Sequence, residues 1–226
     1  MLSGWLIVNK PLGITSAHVV GKVKRMLPRG TKIGHGGTLD PLASGVLPLA
    51  IGEATKLSQF LIDSSKEYEF EVSWGQERST DDAEGDVVAS SELQVSREEI
   101  LKVMEEFTGE IEQVPPQYSA IKVGGQRAYD VARGGGELKL KSRKVTVFNL
   151  QLEACNLQLT TFRMECSKGT YVRSIARDMG RSLGCYGYVS GLKRLRHGQF
   201  GLKDAITLEN LEELCKTGQL AEVLLP

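Results

Sequence analysis

The stretch GHGGTLDPLASGVLPLAIG, Gly34 to Gly52, holds one carboxylate, Asp40, between a threonine-leucine pair and a proline. Pro41 disfavours helical backbone at Asp40, while Gly36 and Gly37 leave room for another backbone or a ligand to come close. The segment presents a single acid from a rigid loop, either to cap the turn that follows, which is the commoner use of aspartate, or to meet a ligand. His35 in the same loop reads by itself as a hydrogen-bonding turn residue. Arg173, Arg177 and Arg181 fall at i, i+4 and i+8, the spacing of a plain solvated stripe on one helix face, and the spacing selects none of the three. Cys155, Cys166, Cys185 and Cys215 are scattered without a C-x-x-C pair, which argues against a zinc site or a disulfide framework and for ordinary core thiols.

The elements that would carry these residues alternate between strand and helix. GWLIV (residues 4 to 8) predicts a strand, and Thr15 or Ser16 caps a helix with Val19, Val20, Val23, Met26 and Leu27 on one face. KEYEFEVSW alternates strictly from Lys66 to Trp74, so that Tyr68 shares a face with Phe70 and Trp74 and reads as a core aromatic. SREEILKVMEEFTG opens with a capping box, Ser96 and Glu99, and stops at Gly109. RKVTVFNLQLEA and NLQLTTFRMEC predict a hairpin turning near Asn156, and residues 124 to 136 predict a short helix between glycine-rich turns. TYVRSIARDMGRSLG places Val172, Ile175, Ala176, Met179 and Leu183 on one helical face. Strands and helices come in mixed order without a βαβ period, which predicts an α+β fold, a mixed sheet with flanking helices.

The chain has 226 residues and no net charge, but the neutrality is a cancellation between blocks. Residues 1 to 60 carry 7 basic and 2 acidic groups, and residues 61 to 113 carry 4 and 16. Residues 114 to 203 carry 16 and 5, and the remainder carry 1 and 5. Such segregation can build a cationic face for a polyanion. No run approaches the ~20 apolar residues of a membrane span, and the N-terminus lacks the pattern of a signal peptide, so a soluble cytoplasmic protein is expected.

Four stretches together resemble the bacterial tRNA pseudouridine-55 synthases, the TruB family. They are NKPLGITS with GHGGTLDPLASGVLPLAIG; KEYEFEVSWG followed by DAEG; PPQYSAIKVGGQRAYDVARGG; and CSKGTYVRSIARDMGRSLG running into LKRLRHGQF. The resemblance covers the chain to about Phe200, and GGTLDP is its most specific part. It implies the pseudouridine synthase fold, mostly antiparallel, and the isomerisation of uridine-55 in the T-arm loop of tRNA to pseudouridine by base flipping, with no cofactor and no metal. Asp40 matches the family nucleophile, Arg173 the guanidinium that favours its ionised form, and Tyr68 the tyrosine that stacks on the target base. His35 matches the residue that helps to flip the nucleotide, and Tyr171 and Leu192 match positions lining the uracil pocket. Lys10, Asp82 and Lys122 fall in matching motifs as RNA contacts or supports of the site, and Lys193, Arg194 and Arg196 read as phosphate partners or as a solvated edge strand.

The sequence departs from the family where Arg78-Ser79-Thr80 replaces the usual T-D-T before Asp82, where Ser44 replaces a common threonine, and where Tyr188 replaces a small residue after Gly187. Residues 1 to 226 are expected to form one catalytic domain, with a helical tail from about residue 204 and without the extra C-terminal RNA-binding, PUA-like domain of many family members. A monomer acting on the tRNA T-arm stem-loop, with no membrane and no obligate protein partner, is the expectation. A same-scaffold synthase for a different RNA, or a non-catalytic RNA-binding or RNA-folding protein, is the alternative.

Overall fold

A computed structural model describes residues 2–226 apart from 120, 124, 125, 135, 137 and 157, and apart from the side chains of 122, 123, 127, 130 and 133. Strand β1 (Gly4–Lys10) extends the apolar run by two residues. Helix α1 (Ser16–Met26) starts where Thr15 Oγ1 accepts from the backbone N–H of His18, and it buries Val19 and Val23. Val20 and Met26, expected on the same face, are only half-buried.

Two strands follow that the sequence reading leaves within the loop, β2 (Ile33–His35) and β3 (Ala43–Ile51). Pro48 hides β3, because proline removes a ladder donor. One side of β3 pairs with β1 throughout, with Pro48 opposite Ile7. On the other side, residues 43–45 and 49–51 have different partners. Pro48 therefore sits in a gap between two ladders, where its missing N–H breaks no pairing.

After α2 (Ser58–Ile62) comes β4 (Lys66–Trp74), whose alternation is as read, with Lys66, Tyr68, Phe70, Val72 and Trp74 buried. Next are β5 (Gln76–Arg78), β6 (Val87–Ser90), α3 (Arg97–Glu106) with its capping box, and β7 (Gly109–Gln113). The short β8 (Lys122–Val123), β9 (Gln126–Arg127) and α4 (Ala128–Arg133) precede β10 (Arg143–Cys155) and β11 (Leu159–Cys166). Asn156 Oδ1 accepts from the N–H groups of Gln158 and Leu159, which makes the expected turn. Then come α5 (Val172–Ser182), β12 (Gly187–His197), β13 (Phe200–Gly201) and α6 (Leu208–Lys216).

The chain forms two compact units, Met1–Glu69 with Leu192–Pro226, and Phe70–Gly191, and passes from one to the other within β4 and again within β12. In the first unit β1 and β2 are antiparallel to β3, and β12 is parallel to it at Leu192, Lys193 and Arg194. Its core gathers Trp5, Ile7, Val46, Ala50, Ala54, Leu61 and Phe200. Residues after 203 cover the outer edge of β1: Asn9 N–H donates to Ile206 O at 2.8 Å, and Trp5 and Leu225 exchange both backbone bonds. An open strand edge is thereby closed.

In the second unit β7, β10 and β11 form an antiparallel meander, and Phe162 stacks on Phe70 with centroids 5.3 Å apart. The architecture is α+β, a mixed and mostly antiparallel sheet with flanking helices. No helix of the described residues is long and apolar enough to cross a membrane.

Candidate active site

Asp40 lies half-buried at the end of the β2–β3 loop, one turn before β3, with its carbonyl accepting from Ala43 N–H at 3.0 Å. Both neighbours are pinned. The Ser16 hydroxyl donates to Leu39 O at 3.0 Å and accepts from Leu39 N–H at 2.8 Å. Lys10, 0% exposed, donates from Nζ to Pro11 O at 2.9 Å, to Ile14 O at 2.7 Å and to Pro41 O at 3.3 Å. NKPLGITS and GGTLDP are therefore one construction, in which a buried ammonium and a serine hold the residues on either side of the acid.

Arg194 holds the loop from behind. It is 1% exposed, and its guanidinium donates to Val46 O at 2.7 Å, Gly37 O at 3.1 Å and Thr38 O at 3.4 Å. This corrects the reading of Arg194 as a phosphate partner: its charge is sealed in and spent on carbonyls. The idea of a solvated edge strand fails as well, since β12 pairs with β3 at Leu192, Lys193 and Arg194. His197, on the same strand, is fully buried, with Nε2 2.9 Å from Leu61 O. A Cβ on Gly37 would lie 2.8 Å from its Cε1, and Gly37 has φ of 152°, so the last glycine of GHGG has no substitute. Burial, reinforced by Arg194 and Lys66, pushes the His197 imidazole down to about 2 and keeps it neutral.

His35 stands in β2 opposite Leu49, half-buried, and burial together with Arg194 lowers its pKa too. Leu192 lies buried beside Ala43, at the first residue of β3. Tyr68 is buried on the apolar face of β4. Arg196 pairs with Glu67 at 3.3 Å, and Lys193 is half-buried.

In the second unit the arginines of α5 are not a solvated stripe. Arg173, 4% exposed, donates to Thr80 O at 2.9 Å and Tyr118 O at 3.0 Å, with Asp82 Oδ2 at 3.4 Å. Arg177 bonds Asp81 Oδ2 and Asp178 Oδ1, both at 2.8 Å, and Arg181 grips both oxygens of Glu77. Each guanidinium meets its own acid on the segment from Glu77 to Asp82. Asp81 is buried with φ of 61°, and burial drives its carboxyl up to about 6 against the pull of Arg177 and Arg173. Asp82 is buried, accepts from Thr80 Oγ1 at 2.5 Å and supports Arg173, which leaves no face for RNA. Tyr171, half-buried, precedes Val172 and forms the N-cap of α5 without a side-chain cap bond. The side chain of Lys122 lies outside the described residues.

The family model for the TruB family pseudouridylate synthase N-terminal domain matches residues 24–172, and that for the tRNA pseudouridylate synthase B C-terminal domain matches 173–226. The chain belongs to the TruB family. Among its curated relatives, tRNA pseudouridine synthase B of Bradyrhizobium diazoefficiens is 51% identical over 99% of this chain and 66% of its own length. That of Ehrlichia ruminantium is 51% identical over 99% of this chain and 76% of its own. The chain thus spans about two thirds to three quarters of these relatives' length. A crystal structure of a Cbf5-Nop10-Gar1 complex matches with a TM-score of 0.76 and 31% identity, over 99% of this chain and 60% of the other. The fold is that of the pseudouridine synthases.

TruB membership does not by itself identify the residues that support the GGTLDP loop. Ser16 reads in sequence as a helix cap, and Arg194 and His197 as members of a basic run. Along LKRLRH the inward residues are Leu192, Arg194 and His197, so period two holds from Leu192 to Arg194 and breaks before His197, and two charged or polar letters on an inward face mask the signal.

Proposed function

We propose that this chain isomerises uridine-55 in the T-arm loop of tRNA to pseudouridine. The observation that carries the reading is Asp40, an acid whose two chain neighbours are each fixed by a buried side chain, in a chain 51% identical to tRNA pseudouridine synthases B. The reaction breaks the bond from uracil N1 to ribose C1′ and forms one from C5 to C1′; a proton leaves C5 and one arrives at N1. Atoms and electrons balance without oxidant or group donor. Asp40 is the nucleophile, and both C6 of the base and C1′ of the sugar are open to it. Tyr68 stacks on the extruded base and takes part in proton removal from C5, and Arg173 is the reaction's fixed cation. His35 takes the space the base leaves, and Tyr171 and Leu192 line the uracil pocket.

Higher identity to the tRNA enzymes than to the Cbf5 chain favours tRNA over another RNA. The protein acts as a monomer in the cytoplasm, with Lys193 and Arg196 among the cations offered to phosphate. The test is release of C5 tritium from uridine-labelled T-arm RNA, followed by mapping of the modified position. Asp40→Asn is expected to lower turnover more than about a thousandfold while leaving the RNA dissociation constant within about twofold. Appreciable turnover by the variant removes Asp40 as nucleophile; modification at another position removes the uridine-55 assignment.

A further inference from the structure

Tyr171 is gripped by two residues that face each other across β7 and β10. Gln113 and Arg143 are direct partners in that antiparallel register. Gln113, 1% exposed, clamps the Tyr171 backbone at two points: Oε1 accepts from Tyr171 N–H at 2.8 Å, and Nε2 donates to Tyr171 O at 3.1 Å. Arg143 takes the ring, with its guanidinium carbon 4.8 Å from the ring centroid, within cation–π range. The same guanidinium donates to Gly169 O, two residues before the tyrosine. Gly169 has φ of 82°, a turn that glycine makes without strain.

These contacts answer a local need. Helix α5 begins without a cap bond from its own N-terminal side chain, so the turn that carries Arg173 lacks that local hydrogen bond. The Gln113 amide supplies one from another strand. A half-buried phenol has several staggered states open to it, and a cation seated on one face selects one of them.

We propose that Gln113 and Arg143 are positioning residues that fix the Tyr171 ring for the uracil and the start of the helix that bears Arg173. The proposal rests on the reading of Tyr171 as a wall of the uracil pocket. Its test is a double-mutant cycle of Arg143→Ala and Tyr171→Ala in single-turnover reactions on a T-arm transcript. Beside it run RNA binding at several salt concentrations, thermal melts, and fluorine NMR of 3-fluorotyrosine-labelled protein with the Tyr171 signal identified through Tyr171→Phe. Arg143→Ala should slow the single-turnover step at least about tenfold, the scale of a small misplacement, with RNA affinity unchanged, and should shift the Tyr171 signal. In the Tyr171→Ala background the same change should cost less than about twofold, because the cycle isolates the pair. Gln113→Glu, which places a carboxylate against Tyr171 O at constant volume, should slow the same step and move the same signal.

Additive losses, or an unmoved Tyr171 signal, overturn the proposal. Weaker binding with a salt slope shallower by about one phosphate overturns it in favour of Arg143 as a phosphate ligand. If the wild-type protein converts no uridine, the functional reading falls, and the Tyr171 signal alone decides whether Arg143 and Gln113 set the ring.

Discussion

His197 shows how far a residue's letter can mislead about its role. A histidine at neutral pH suggests proton chemistry, yet this one is buried against Gly37 with Arg194 and Lys66 nearby, and its pKa is depressed to about 2. The unfolded chain takes up a proton below about 6.5 that the folded chain refuses, so this group's contribution to stability is present above that pH and is lost as the pH falls. Asp81, with its carboxyl raised to about 6, acts in the opposite sense over pH 6 to 4, so the wild-type curve alone does not isolate the imidazole. The expected outcome is that between pH 7 and pH 5 urea unfolding costs the wild type about 2 kcal/mol more stability than it costs His197→Gln, which keeps a donor for Leu61 O. Equal losses in the two proteins would place the proton elsewhere. The loop that presents Asp40 was legible in the sequence because its GGTLDP motif is specific. The burial of Lys10, Arg194 and His197 was not, because polar letters predict exposure, and their acceptors are backbone carbonyls that carry no side-chain signature.

At the scale of elements, the spacing of Arg173, Arg177 and Arg181 reads the same whether water or acids face the helix. Their partners Asp82, Asp81 and Glu77 lie about ninety residues upstream or more, beyond the reach of any periodicity. The alternating strand β4 and the capped α3 were legible, since local pattern decides them, whereas β3 was hidden by a proline that tertiary pairing accommodates. Both larger departures from the family pattern fall in this region and touch each other: the Arg78 guanidinium sits 4.6 Å from the Tyr188 ring centroid and donates to Gly85 O at 2.9 Å. The pair braces the turn that holds Arg173. Arg78→Ala and Tyr188→Ala should therefore couple by about 0.5–1 kcal/mol in thermal unfolding. Strictly additive losses would leave the two departures unrelated.

For the whole molecule, the charge blocks of the sequence partly cancel in the fold. Glu77, Asp81, Asp82 and Glu110 of the acidic block meet Arg181, Arg177, Arg173 and Lys144 of the basic one, and Arg194 is spent on carbonyls. Fewer cations reach a polyanion than the block's 16 basic residues would supply. The logarithm of the RNA affinity against that of salt should fall with a slope shallower than about −6, at about −0.7 to −0.9 per phosphate neutralised; a slope near −10 would mean that these pairs open on binding. The sequence revealed the blocks but not their mutual pairing. The double passage through β4 and β12 bears on how the protein is made. One unit is inserted within the other, so β1 and the apolar β3 leave the ribosome first, and the strand β12 that completes their sheet follows only after residues 70–191. At ordinary rates of synthesis that is a wait of roughly ten seconds. The last residues of the inserted unit are made before those of its host, and until Ile206 and Leu225 arrive the outer edge of β1 stays open.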